Sequence, residues 1–143
     1  MSIWTHVAAI VRVDGFRIFD DDIGPDWDAL FGKECLWAAS REKRDDAMEH
    51  PDKYLPMGSE GSLRKAVWVN PDLSHADAYT VSIFGDLRDY DSPETIIEWF
   101  KKIVNSDSLD VRQACITVTN GYKSLVWGIN FGEEVLNDTN ETI

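Results

Sequence analysis

Two alternating runs on either side of Asn120-Gly121 constrain the fold more than any other feature of this chain. The stretch DVRQACITVTNGYKSLVWGINF covers residues 110–131, and apolar and polar residues alternate before and after its Asn-Gly pair. Asn-Gly is preferred in tight hairpin turns because both residues tolerate positive φ. The sequence therefore predicts a C-terminal β-hairpin.

Residues 3–13 also alternate and predict a first strand. Val7 and Val11 lie on one side of this strand, and Trp4 and His6 lie on the other. Both sides carry apolar residues, so the pattern predicts a strand without showing which side faces the core.

Helix signals and further strands lie between these two regions. Trp27, Leu30 and Phe31 recur at helical spacing after Pro25, which predicts a short first helix. Residues 63–70 and 77–90 read as two antiparallel strands with a turn between them. Ser92 is followed by proline and glutamate, which predicts a helix start. The buried stripe expected for that helix is Ile96, Ile97, Phe100, Ile103 and Val104.

Two segments lack a clear pattern. Residues 34–62 combine a charged run, REKRDDAMEH, with a stretch that contains two prolines and two glycines, which indicates an irregular insertion or lid. The charged run is compatible with a solvated helix. Residues 133–143 read as a polar tail.

The element order indicates one α+β domain over residues 1–143. Strand, helix, strand, strand, helix, strand, with one extra strand, is the order of a ferredoxin-like antiparallel sheet with helices on one face. That architecture carries many unrelated activities, so it implies no function.

The charge balance disfavours direct binding to nucleic acid. The 143 residues include 14 basic and 26 acidic side chains, a formal charge of −12, which repels phosphate backbones and anionic lipids. We expect no membrane association, because the chain shows neither a signal peptide nor an apolar run of about 18 residues. Cys35 and Cys115 lie in apolar surroundings typical of reduced thiols, so we expect a cytoplasmic protein.

No complete catalytic, metal or cofactor motif is present in the sequence. Asp20, Asp21 and Asp22 lack the glycine and the closing glutamate of an EF-hand loop, and a solvated turn explains them better. The histidines are His6, His50 and His75, and no two have the spacing of a metalloprotease pair. We therefore expect no metal, no cofactor and no catalytic residues, although enzymatic activity stays open.

Large groups on the strands indicate an interaction surface. If Trp4, His6, Trp68 and Trp127 share the sheet face that the helices leave uncovered, another molecule is expected to cover them. The alternative divides the tryptophans between the core and isolated surface positions. The sequence leaves both open because strand register is not visible in it.

Three functional hypotheses follow. The first is a non-catalytic interaction module that forms a homo-oligomer, with a dimer expected, through a sheet face or edge, and binds a protein partner through its acidic surface or insertion. A narrower version treats that acidic surface as a mimic of nucleic acid. The alternative is a small-ligand-binding protein or enzyme with a pocket between the sheet and residues 34–62, using His6, Trp37, Tyr54 or Tyr79.

Overall fold

The computed structural model describes residues 2–16, 19–20, 24–35, 41–69, 78–90 and 92–139. The strands are β1 (Trp4–Phe16), β2 (Phe19–Asp20), β3 (Gly24–Pro25), β4 (Arg64–Val69), β5 (Tyr79–Arg88), β6 (Leu109–Thr119), β7 (Ser124–Asn130) and β8 (Glu133–Asp138). The helices are α1 (Trp27–Phe31), α2 (Arg41–Glu49) and α3 (Pro93–Val104), and a 3₁₀ turn covers Pro51–Lys53. None of the described helices is long and apolar enough to cross a bilayer.

Six of the strands form one antiparallel sheet with the order β4-β5-β1-β6-β7-β8. β2 and β3 form a separate two-stranded ribbon. β1 lies inside the large sheet between β5 and β6, so its side chains occupy the middle of both sheet faces. The predicted α+β class is confirmed.

The core lies on the face of the sheet that α1 and α3 cover. Val7, Val11 and Val13 of β1 are buried in one cluster with Phe31 of α1 and Phe100 of α3. The helix predicted after Ser92 is confirmed, and its apolar stripe is buried in the core. Lys101 and Lys102 in its last turn complement the negative end of the helix dipole.

The hairpin between β6 and β7 differs in detail from a two-residue Asn-Gly turn. Thr119 pairs with Ser124, so residues 120–123 form the loop, within which the Asn120 N–H donates to the Lys123 carbonyl at 2.9 Å; Gly121 does not have positive φ. The Asn120 side chain instead accepts hydrogen bonds from the amides of Tyr122 and Lys123, at 2.8 and 2.9 Å. This side-chain capping makes the wider loop favourable.

A two-residue turn with positive φ at both positions joins β7 to β8. Phe131 and Gly132 have φ values of 50° and 81°, which is the pattern of a hairpin turn that matches strand twist. β8 therefore occupies Glu133–Asp138, where the sequence had indicated a polar tail from residue 133. No alternating strand pattern is present in this segment, because every residue of β8 is exposed and none has to be apolar.

The segment 34–62 is partly regular. It contains α2 and the 3₁₀ turn, which agrees with the solvated helix considered for the charged run. Leu55 within it and Leu63 just after it are buried in the main core, so the segment is anchored to the helix-covered side of the sheet.

Candidate interaction face

The side chains opposite the core form a continuous surface, which we call the open face. It comprises alternate residues of β1 from Trp4 to Arg12 and the residues in register with them on neighbouring strands. Three of its rows extend across all six strands, namely Arg64, Phe84, Ala8, Thr117, Val126 and Asp138; Ala66, Ser82, Ile10, Cys115, Gly128 and Leu136; and Trp68, Thr80, Arg12, Gln113, Asn130 and Glu133.

Large apolar side chains on the open face are exposed. Ile10 is 56% exposed and Trp68 is 53% exposed, and Phe84 and Leu136 have comparable exposure. Trp4 at the end of β1 is partly exposed as well. Among the described residues these side chains form a patch, in which Cys115 and Gly128 lie between Ile10 and Leu136, and Phe84 and Trp68 occupy the two adjacent rows of the same face. Exposed apolar patches of this kind mark interaction sites.

The open face is electrically balanced although the whole chain is acidic. The three full rows and the two shorter rows at Trp4 and His6 contain three arginines and three acidic residues, so their formal charges cancel when His6 is neutral. These residues are Arg12, Arg64, Arg88, Asp86, Glu133 and Asp138. The formal charge of −12 therefore lies entirely outside these rows.

Trp127 does not belong to the open face, in contrast to the surface expected from the sequence. It is 2% exposed and packs edge-on against Phe100 of α3, with ring centroids 5.9 Å apart. Its indole Nε1 donates a 2.7 Å hydrogen bond to Glu134, which ties β8 to the sheet. Trp127 lies one position from Val126 and Gly128 along β7, and successive residues of a strand point to opposite faces.

His6 lies on the open face beside Asp86, with a distance of 2.6 Å between Nδ1 and Oδ1. The next two positions in this row carry Thr119 and Ser124, whose hydroxyl oxygens are 3.3 Å apart. An acid, a histidine and a hydroxyl are the components of a hydrolytic triad. Here, however, both members of the His–Asp pair are well exposed, and such sites depend on excluding water. The row therefore gives no support for catalysis.

The outer edge of β4 is partly closed by side chains. The Lys65 backbone N–H donates a 2.7 Å hydrogen bond to the Glu34 carboxylate, which occupies an amide that another strand would need. The Lys65 ammonium is largely buried, donates to the Gly32 carbonyl at 2.7 Å and pairs with Asp28. These contacts fix α1 against β4. A partner therefore has better access to the open face than to the β4 edge.

The segment Gly58–Ser62 supports the Trp4 end of the open face. Ser59 N–H donates to Arg88 O, and Arg88 N–H donates to Glu60 O, both at 2.9 Å. Gly61 has φ of 81°, and a Cβ there would lie 2.0 Å from the Asp86 carbonyl oxygen, so only glycine fits. The same Cβ would lie 3.7 Å from an atom of the Trp4 ring.

Those residues of the expected pocket that the structure describes are not brought together. Tyr54 lines a cleft beside α2, whereas Tyr79 is buried in the core with its ring centroid 5.1 Å from that of Trp27. His6 lies on the open face, and Trp37 falls outside the described residues. Within the described ranges, no three His, Cys, Asp or Glu side chains converge to hold a metal. Asp21 and Asp22 also lie outside those ranges.

Comparison of the chain with protein-family models, curated proteins and solved structures finds no match. The open face contains residues that the sequence did not single out, chiefly Ile10, Phe84 and Leu136. Ile10 has a signal in the sequence, because it shares the strand side of Trp4 and His6. Leu136 has none, since its direct neighbour Val135 is the one other apolar residue of β8 and the two do not alternate with polar residues.

Proposed function

We propose that this protein is a non-catalytic interaction module that forms a homodimer through its open face. The observation that supports this most is the exposed apolar patch formed by Trp68, Ile10, Phe84 and Leu136 on one side of the sheet. Leaving such a patch in water costs about 25 cal/mol per Å² of apolar surface. A second copy that covers it recovers this free energy.

The size of the open face suits a dimer. Six strands spaced about 4.8 Å apart are roughly 24 Å wide, and the eight steps from Trp4 to Arg12 extend roughly 27 Å. The projected area is therefore about 600 Å², and the accessible area is larger because side chains project from it. A standard interface uses about 800 Å² on each partner.

The charge balance favours a second copy as the occupant. Two chains that each carry −12 repel each other over most of their surfaces. The open face is the region where this repulsion is weakest, because its charged side chains cancel. A nucleic acid finds no excess of cations there.

The distribution of charges supports a two-fold axis that runs along the strands. One row has Arg64 on the outer strand β4 and Asp138 on the opposite outer strand β8. An axis along the strands stacks β4 on β8 of the second copy and places Arg64 near Asp138. An axis across the strands stacks β8 on β8 and places Asp138 near Glu133, which is repulsive.

We also propose a finer description of the fold and of the partner. The fold has a ferredoxin-like core of β1, β4, β5 and β6 that β7 and β8 extend, which the strand order and antiparallel pairing support. A protein partner with a basic surface binds the acidic remainder of the chain, where all of the net charge lies. Measuring the affinity for that partner at increasing salt tests the proposed charge-driven binding, because such binding weakens steeply as ionic strength rises.

Alkylation of Cys115 tests the proposed dimer face. Cys115 is partly exposed in the middle of the open face, whereas Cys35 is buried, and peptide mapping by mass spectrometry separates their rates. For a Kd near 10 µM, dimerisation slows alkylation of Cys115 about fourfold between about 1 and 100 µM protein. A rate that is the same at every concentration would contradict the proposal.

Two variants with the same change of charge make this test specific. In Ile10→Lys the charge lies on the open face, and Cys115 is expected to react at one rate at all concentrations. In Tyr122→Lys the charge lies at the exposed hairpin loop, away from this face, and the protection of the wild type is expected to persist. Loss of protection in both variants would indicate a general charge effect instead.

A further inference from the structure

A concave region, which we call the cleft, lies apart from the open face, between α2, residues 54–59 and α3. Its volume is about 860 Å³, within the range of about 300–1,000 Å³ that small-molecule sites occupy. Its walls carry Met48, Met57, Tyr90 and Trp99. None of its lining residues belongs to the rows of the open face, although Gly58 and Ser59 line the cleft and also belong to the segment that supports the Trp4 end of that face.

The polar groups of this cleft favour an anion. Arg41 and Arg44 line it from the first half of α2, against one acidic lining residue, Asp45. The cleft thus concentrates cations in a chain whose formal charge is −12. Arginine recognises carboxylates with two parallel hydrogen bonds and also stacks on flat rings.

The two tyrosines of the cleft are neutral. Burial raises the pKa of the Tyr90 phenol, so its hydroxyl keeps its proton at neutral pH. The Tyr54 hydroxyl donates to Asp46, which raises the pKa of Tyr54 and lowers that of the carboxyl. Neither phenol therefore adds negative charge, and the Asp46 carboxylate beside Tyr54 is not among the residues that line the cleft.

We propose that this cleft binds an organic carboxylate with an apolar, ring-containing body, a function beyond self-association. The body packs between the two methionines and the rings of Tyr90 and Trp99, since polarisable sulfur and aromatic faces suit flat rings. The carboxylate lies at the α2 side, where the two arginines are. A cation of the same shape can pack its rings in the cleft but cannot pair with the two arginines.

The test uses naphthalene-2-carboxylate and, as the matched cation, naphthalen-2-ylmethylammonium. Each is titrated into full-length ¹⁵N-labelled protein while amide chemical shifts are followed. The carboxylate is expected to bind saturably with shifts at Tyr90 and Thr95 and none at Ile10 or Phe84. The ammonium compound is expected to bind at least about tenfold more weakly. No saturation below about 5 mM, equal binding of both compounds, or shifts on the open face would overturn the proposal.

Matched variants assign the anion preference to the cleft. Arg41→Glu changes an exposed lining residue, and Lys102→Glu makes the same change of charge on α3 outside the lining. Arg41→Glu is expected to weaken carboxylate binding about fivefold to tenfold, and Lys102→Glu less than about twofold. Equal weakening by both would overturn the proposal. Unfolding in urea checks that both variants fold, and Arg41→Glu is expected to leave self-association unchanged.

Discussion

Ile10 on β1 and Cys115 on β6 are direct cross-strand partners in the middle of the open face. Their strands are the two at the centre of the six-stranded sheet. In a dimer with its two-fold axis along the strands, Ile10 of each copy therefore lies near Cys115 of the other. Ile10, the most exposed apolar side chain of these two strands, and the partly exposed thiol of Cys115 then cover each other.

Exchange of the charges at the two outer strands tests this dimer geometry. Arg64→Asp places an acid near Asp138 of the second copy, and the symmetry of a dimer repeats the repulsion twice. We expect the dissociation constant to rise about tenfold, because like charges at an interface are unfavourable. Sedimentation velocity measures it.

The double variant Arg64→Asp/Asp138→Arg is the control for that exchange. It restores opposite charges across the interface, and we expect its dissociation constant to return to within about threefold of the wild type. If the loss of dimerisation free energy in the double variant equals the sum of the losses in the two single variants, the two residues do not meet and the proposed axis is wrong.

Gly61 is expected to be essential for the stability of the monomer. Gly61→Ala introduces a Cβ that lies 2.0 Å from the Asp86 carbonyl oxygen, at a position with φ of 81°. We expect a loss of about 2–4 kcal/mol in the free energy of unfolding, measured in urea. Gly121→Ala is the matched control, because no heavy atom lies within 4 Å of its Cβ and its φ is not positive. A loss at Gly61 no larger than that at Gly121 would contradict the close approach.

The hydrogen bond between Trp127 and Glu134 predicts an acid-sensitive attachment of β8. The indole donor and, next, Asn137 hold the pKa of Glu134 below its ordinary value of 4.5. The stabilisation is therefore complete above about pH 4.5 and is lost as the pH falls through the lowered pKa. We expect the Trp127 indole N–H shift to titrate with a midpoint below 4.5. In Glu134→Gln this step should disappear, and its persistence there would assign it to another group.

The helices and the first strands were predictable because their signals are local. α3 carries its start signal, its apolar stripe and its basic last turn within one continuous segment, and the helix begins at Pro93 as predicted, although the Ser92 side chain makes no capping hydrogen bond. The distribution of residues between the two sheet faces was not predictable. β1 has valines on one side and Trp4, Ala8 and Ile10 on the other, so only its pairing with β5 and β6 and the packing of α3 decide which side is buried.

The composition of the open face could not be predicted, because the contacts that determine it have no clear sequence pattern. β8 is held by an indole hydrogen bond and by a turn at Phe131-Gly132, not by an alternating apolar pattern. Trp127 and Trp68 have similar surroundings in the sequence, yet one lies under α3 and the other is exposed. Strand register separates them, and register is set by pairing between distant segments.

The mass of the protein in solution, measured by sedimentation equilibrium from about 1 to 100 µM, tests the central claim most directly. We expect the mass to rise from one chain of 16.2 kDa to two in the wild type and in Tyr122→Lys. Ile10→Lys should stay at one chain across this range. A wild type that remains a single chain at every concentration, or an Ile10→Lys variant that dimerises as well as the wild type, would contradict self-association through the open face.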